Sequence, residues 1–134
     1  VLALFAGTGA LGLEALSRGA AEAVLVDDGA KALDLIRRNI DRTSTGESAS
    51  VLRRDATRLP PLEGAPFQVV FLDPPYGRGL GERAMAAALA GGWLAPGATV
   101  IWEESQPPAL PPALTLLDRR RYGDTVVTLA RLET

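Results

Sequence analysis

Apolar residues fall into short blocks along this chain of 134 residues, and the spacing within each block predicts what it forms. Val69 to Leu72 is β-branched or bulky with no polar residue inside it, as expected of a strand covered on both faces in a parallel sheet. Val1 to Phe5, Ala23 to Val26, Ser50 to Leu52 and Ala98 to Trp102 are further short runs of strand length. Ala30, Leu33, Ile36 and Ile40 recur at helical spacing, with Arg37, Arg38 and Asp41 off that stripe, which predicts an amphipathic helix. Leu11, Leu13, Ala15 and Leu16 predict an earlier helix that ends at Arg18-Gly19. Alanine-rich Leu80 to Ala90 predicts a later one, stopped by Gly91-Gly92. Two extended runs close the chain, Leu114 to Arg121 and Thr125 to Leu132, joined at Tyr122-Gly123-Asp124 in the manner of a hairpin. The order β-α-β-α-β-β-α-β-β-β predicts one α/β domain over residues 1–134, an open seven-stranded sheet that is parallel except near the C-terminal hairpin.

The residues just beyond each strand carry the chemistry, because ligands of open α/β sheets bind at the carboxyl ends of the strands. The central strand stops at Asp73-Pro74-Pro75-Tyr76. Two prolines end ladder pairing and remove the N–H groups that would compete for the Asp73 carboxylate. Asp73 and the Pro74 carbonyl are thus two acceptors suited to one exocyclic amine, and the Tyr76 ring offers a face for a heteroaromatic base. A strand-ending turn with a solvated Asp is the plain alternative. Gly7-x-Gly9-x-x-Gly12, between strand and helix, matches a nucleotide-binding glycine turn, and Phe5 and Ala6 lead into it. Asp27, about 20 residues beyond Gly7 at the end of the second strand, is placed to accept ribose hydroxyls, with helix capping assigned to Asp28. Asp55-Ala56 after the third strand sits where an acceptor would meet an adenine amino group, and capping of the Ala56 to Leu59 turn is an equal rival.

Composition narrows the chemistry. The chain has no histidine and no cysteine, so no metal is expected and any reaction must run on carboxylates, positioning and a cofactor. No apolar run approaches the roughly 18 residues of a membrane span, and a cytoplasmic protein is expected. A net charge of −2 argues against an unaided, purely electrostatic grip on nucleic acid. Its arginines are nevertheless clustered, as Arg37-Arg38 with Arg42, Arg53-Arg54 with Arg58, and Arg119-Arg120-Arg121. Because Val1 already lies inside an apolar strand, an N-terminal segment is expected to be missing.

The run Leu4-Phe5-Ala6-Gly7-Thr8-Gly9-Ala10-Leu11-Gly12-Leu13-Glu14-Ala15-Leu16-Ser17-Arg18-Gly19-Ala20, with Asp73-Pro74-Pro75-Tyr76 and Gly92-Trp93-Leu94, resembles the RsmD-type 16S rRNA guanine-N2 methyltransferases. That resemblance implies a Rossmann-like class I methyltransferase fold, S-adenosylmethionine as cofactor, and 16S rRNA or an assembling small ribosomal subunit as partner of a monomer. It also implies roles by position: Phe5, Ala6, Gly7 and Gly9 at the methionine end, Asp27 at the ribose, Asp55 and Ala56 at the adenine, and Asp73 to Tyr76 at the target guanine. Two departures stand out. The family has an acid where this chain has Ala3, which would leave the cofactor ammonium without a carboxylate, and it carries a basic N-terminal segment. The rival readings are an NAD-dependent oxidoreductase, a DNA adenine or protein glutamine methyltransferase, and a catalytically silent RNA-binding or assembly factor.

Overall fold

The computed structural model describes residues 1–7, 18–43 and 48–133. Within them the chain forms β1 (Leu2–Leu4), β2 (Ala23–Asp27), α1 (Ala30–Thr43), β3 (Ala49–Arg53), a 3₁₀ turn (Ala56–Arg58), β4 (Phe67–Leu72), α2 (Leu80–Ala90), β5 (Leu94–Glu104), β6 (Leu114–Tyr122) and β7 (Thr125–Leu132). The helix expected around Leu11 to Leu16 lies outside the described residues, as do Gly9 and Gly12.

These seven strands join one sheet in the order β3-β2-β1-β4-β5-β7-β6. β1 lies between β2 and β4 and pairs with both in parallel, Leu2 facing Val24 on one side and Val70 on the other. The chain therefore moves outward through β2 and β3, then returns to the other side of β1. That reversal is the switch point at which open α/β sheets form a cleft. β7 runs antiparallel between β5 and β6, so the sheet is Rossmann-like with an antiparallel end, as expected.

Strand alternation sends neighbouring side chains to opposite faces, and the two faces build separate cores. Leu2, Leu4, Val70, Leu72, Val100 and Trp102 pack with Ala84, Met85 and Ala88 of α2. Ala3, Ala23 and Leu25 pack on the other face with Ile36 and Ile40, the apolar stripe of α1. Ala3 is only 3% exposed within this second cluster. Its methyl group belongs to the packing under α1.

Two sequence expectations shift in detail. β4 begins at Phe67, and while Val70 and Leu72 are buried, Val69 and Phe71 are only half-buried, so the described elements cover one face fully and the other in part. β5 begins at Leu94, ahead of the expected Ala98, because Pro96 and Gly97 are absorbed by an irregularity: Phe67 pairs with Leu94 but Val69 with Thr99. A bulge is where a sheet tolerates a proline and a glycine at φ +78°. Ahead of it Trp93 stacks on Phe67 with ring centroids 6.2 Å apart and donates its indole N–H to the Pro60 carbonyl at 2.7 Å. The connection into β4 is thereby fixed.

Candidate active site

At the switch point a cavity of about 660 Å³ opens along the carboxyl ends of β1, β2 and β4. Phe5 and Gly7 line it after β1, Val26, Asp27 and Asp28 at the end of β2, and Asp55, Ala56 and Thr57 after β3. The turn Asp73 to Tyr76 lines it after β4, together with Leu80 and Arg83 of α2. The structure thus brings together every expected site residue that it describes except Ala6, whose N–H donates to the Val26 carbonyl at 2.9 Å to hold the turn after β1 against β2.

Asp27 ties the first two strand ends to each other. Its Oδ2 accepts the Gly7 N–H at 3.0 Å and its Oδ1 accepts the Gly29 N–H at 2.9 Å. The local acceptor role expected of Asp28 thus falls to Asp27, while Asp28 lines the cavity. Among the described residues each Asp27 oxygen accepts one hydrogen bond, and a carboxylate oxygen can accept more than one. The glycine turn is built for close approach. Gly7 sits at φ +59°, and a Cβ placed there would meet no atom within 4 Å, so the cavity wall at that point is backbone. Phe5 takes φ +57°, a left-handed conformation that bulky side chains adopt at a cost and that clusters at functional sites.

Asp55 caps the 3₁₀ turn and also faces the cavity. Oδ1 accepts from the Thr57 N–H at 2.9 Å and from the Thr57 hydroxyl at 2.7 Å, which caps the 3₁₀ turn, yet the residue also lines the cavity. The two Thr57 bonds hold the Asp55 carboxyl below the usual carboxylate range.

Asp73 ends the pairing of β4 and β1 through a long 3.4 Å bond from its N–H to the Leu4 carbonyl. Its carboxyl keeps an open side toward the cavity, but its surroundings desolvate it and raise its pKa. Across the next strand, Leu72 pairs with Trp102, so Glu103 comes to lie beside Asp73. Burial raises the Glu103 pKa and the Asp73 charge raises it further. Glu104 points to the other face, 7% exposed, where it accepts the Trp102 indole N–H at 3.2 Å. Its pKa is raised, first by burial, against a smaller lowering by that indole bond and with Glu82 and Asp73 adding to the rise. Tyr76 keeps 43% of its surface exposed, so its ring is available to a ligand, and its hydroxyl shares a 3.3 Å hydrogen bond with the Thr125 hydroxyl at the start of β7.

The described lining holds four acids, Asp27, Asp28, Asp55 and Asp73, against one cation, Arg83. Such a cavity favours a ligand of net positive charge and repels a pyrophosphate. Sequence reading missed Arg83, Leu80 and Thr57. Arg83 was within reach: it sits in the first turn of the helix that comes after Tyr76, where any cation must lie near the strand end.

The chain matches, over residues 1–131, the profile of the family described as conserved hypothetical protein 95. Ribosomal RNA small subunit methyltransferase D of Escherichia coli K12 is 40% identical over 125 residues, which cover 91% of this chain and 62% of that protein. The protein of the same name from Haemophilus influenzae is 32% identical over 124 residues, covering 89% of this chain and 64% of its own length. The chain therefore spans less than two thirds of these relatives. Among solved structures, one described as the methylase HI0767 of H. influenzae superposes with a TM-score of 0.87 at 30% identity, over 99% of this chain and 86% of that one. One described as the methyltransferase yhhF of E. coli gives 0.86 at 33% identity, over 98% and 74%.

Proposed function

The chain belongs to the conserved hypothetical protein 95 family, the RsmD-type group, and from that premise we propose that it binds S-adenosylmethionine and methylates the exocyclic 2-amino group of a guanine in small-subunit rRNA. The observation that carries this reading is a single cavity that joins a nucleoside cradle to an amine-orienting turn: Gly7, Asp27 and Asp55 on one side, Asp73 to Tyr76 on the other. The names of the relatives support small-subunit rRNA as the substrate. The choice of guanine N2 rests on the acceptor pair Asp73 and Pro74 and on the family resemblance.

The residues present fit the cofactor. Its sulfonium and ammonium outweigh its one carboxylate, which suits four acids and one guanidinium, whereas the pyrophosphate of a nicotinamide dinucleotide would meet the same acids with repulsion. Asp27 would accept the ribose hydroxyls, since each carboxylate oxygen can take more than one hydrogen bond. Asp55 would take the adenine side beside Ala56, and the backbone at Phe5 and Gly7 would lie along the methionine end. When bound, the cofactor supplies an electrophilic methyl group.

The protein's own work is positioning. The Asp73 carboxylate and the Pro74 carbonyl each accept one N–H of the target amine, which turns the nitrogen lone pair away from both acceptors and toward the cofactor side of the cavity. Tyr76 stacks on the base, and its bond to Thr125 fixes the ring. Orientation of this kind accounts for a large share of a displacement reaction that needs no strong base, since the amine proton becomes acidic once the nitrogen is alkylated. A guanine in folded RNA must be splayed out of its stack to reach this turn.

The test is incubation of the protein with methyl-labelled S-adenosylmethionine and small-subunit rRNA, free or assembled with ribosomal proteins, followed by mass spectrometry of the nucleosides. Label in N2-methylguanosine is expected. Label in adenosine or in protein, or none in RNA, would overturn the reading.

A further inference from the structure

The cavity poses a problem that it does not solve. Four carboxylates line the cavity that the target nucleotide enters, yet every RNA nucleotide brings a phosphate with it. With Arg83 the one cation in the described lining, the phosphates on either side of the flipped base call for further cations outside the cavity. The hydrogen bond between Tyr76 and Thr125 leads to one group of candidates, because Thr125 opens β7 and pairs with Tyr122 at the end of β6.

β6 is one of the two edge strands of the sheet, and every residue from Thr115 to Tyr122 is exposed. It carries three arginines, Arg119 to Arg121, against one acid, Asp118. Alternation puts Asp118, Arg120 and Tyr122 on one face, opposite Leu129, Val127 and Thr125 of β7. A second, smaller cavity of about 220 Å³ lies there, lined by Asp118, Arg120, Tyr122, Val127 and Leu129. Its floor is apolar, its wall is an aromatic ring that is 61% exposed, and its cation is held in place: Arg120 Nε donates to Asp118 Oδ2 at 3.0 Å. An aromatic face, an oriented guanidinium and a short apolar floor form the combination by which proteins hold unstacked bases of single-stranded RNA.

We propose that this face of the C-terminal hairpin is a second nucleotide subsite, which takes an unpaired nucleotide flanking the target base. The base stacks on Tyr122 above Val127 and Leu129, and the phosphate between it and the target meets Arg120, with Arg121 on the opposite face of β6 adding to the positive field of the edge. The proposal rests on RNA being the substrate. A polypeptide strand laid along the open β6 edge would use main-chain bonds and the exposed Leu116 and Leu117, and it would be indifferent to the Tyr122 ring.

The experiment measures binding of a short, fluorescein-labelled, guanosine-containing single-stranded RNA, with polyphosphate as a base-free probe, alongside S-adenosylmethionine affinity. Tyr122→Ala is expected to weaken RNA binding roughly fivefold to a hundredfold, as removal of a stacking ring does. It should leave polyphosphate and S-adenosylmethionine binding unchanged, while Tyr122→Phe keeps RNA affinity. Arg120→Ala and Arg121→Ala should weaken both polyanions and reduce the salt slope of RNA binding by about 0.7 for each phosphate that no longer meets an arginine. If the unaltered protein methylates RNA and these variants bind it equally well, the subsite is wrong and the proposed function stands. If the unaltered protein neither binds nor methylates RNA, the proposed function falls and takes the subsite with it.

Discussion

Asp27 and Gly7, twenty residues apart, are joined by a 3.0 Å hydrogen bond from the Gly7 N–H to the Asp27 carboxylate. The bond fixes the glycine turn after β1 against the end of β2, and the same carboxylate takes the Gly29 N–H on its other oxygen. Asp27 is thus a structural tie as well as a candidate ribose acceptor, and its removal should register in both. Asp27→Ala is expected to weaken S-adenosylmethionine by about 1.5–3 kcal/mol, the scale of hydrogen bonds to a charged group, and to cost about 1 kcal/mol of stability by orphaning two N–H groups. Calorimetric titration and thermal melting of one preparation check both. A lowered melting temperature with unchanged affinity would leave Asp27 only its structural role.

The cap made by Asp55 and its proposed adenine contact separate more cleanly, because both Thr57 bonds fall on one oxygen. Asp55→Asn should keep the cap through its amide oxygen, whereas Asp55→Ala should lose about 1 kcal/mol of stability. The adenine contact should weaken in the Ala form. Equal melting temperatures for all three proteins would show that the cap contributes nothing.

Much of this was legible in the sequence because strand ends in a parallel sheet are marked by chemistry as well as by hydropathy. Asp27, Asp55 and Asp73 each come after an apolar run, and a sheet that reverses at β1 must bring those ends to one edge. The hairpin was legible for a related reason: Gly123-Asp124 is a two-residue turn between extended runs. The features that stayed hidden depend on register. That Ala3 packs in the cluster with Ile36 and Ile40 of α1 turns on a one-residue alternation that the apolar run Val1 to Phe5 does not disclose. The pairing of Tyr76 with Thr125 spans 49 residues and needs β7 inserted between β5 and β6, an order no local pattern announces.

Close packing between α2 and β5 gives a prediction about the scaffold. A Cβ on Gly81 would lie 2.7 Å from two atoms of the Trp102 ring and 2.8 Å from Glu104 Oε2. Trp102 is fully buried and cannot yield freely. Gly81→Ala should therefore destabilise by about 1–3 kcal/mol, the usual cost of overpacking, despite alanine's better helix propensity. Denaturant unfolding measures it, and a stabilised variant would show that α2 moves away from the sheet at little cost.

The acids behind the site make stability depend on pH. Burial is the first cause of the raised pKa values of Asp73, Glu103 and Glu104. A raised carboxyl means that the folded state holds its proton more tightly than the unfolded chain. The resulting stabilisation is full below the ordinary values of 3.8 for aspartate and 4.5 for glutamate, and it is lost as pH rises through the raised folded values. Glu104→Gln keeps an acceptor for the Trp102 indole and removes one of these groups. Melting curves collected between about pH 4 and pH 8 should fall less steeply for the variant than for the unaltered protein. Parallel curves would mean that the Glu104 carboxyl is solvated in solution.

Asp73 should impose the opposite trend on activity. Its proposed task is to accept a hydrogen bond from the target amine, and only the carboxylate form has both oxygens free to do so, since a protonated carboxyl presents a donor. Methyl transfer at saturating substrate should therefore decline as pH falls through the raised Asp73 pKa, and burial places that decline above the ordinary aspartate value of 3.8. Asp73→Ala should lose about 10²-fold or more in turnover while S-adenosylmethionine still binds, because an orienting contact to the amine is gone and the cradle at Asp27 and Asp55 is intact. Asp73→Asn separates position from charge. Its amide oxygen can accept as the carboxylate did, so it should retain more activity than the alanine form and should show no acidic decline of its own. Initial rates across pH for the three proteins decide the matter. An acidic decline that persists unchanged in Asp73→Asn would assign the titration to another group, with Glu103 beside it as the next to test, and full turnover by Asp73→Ala would remove Asp73 from the reaction altogether.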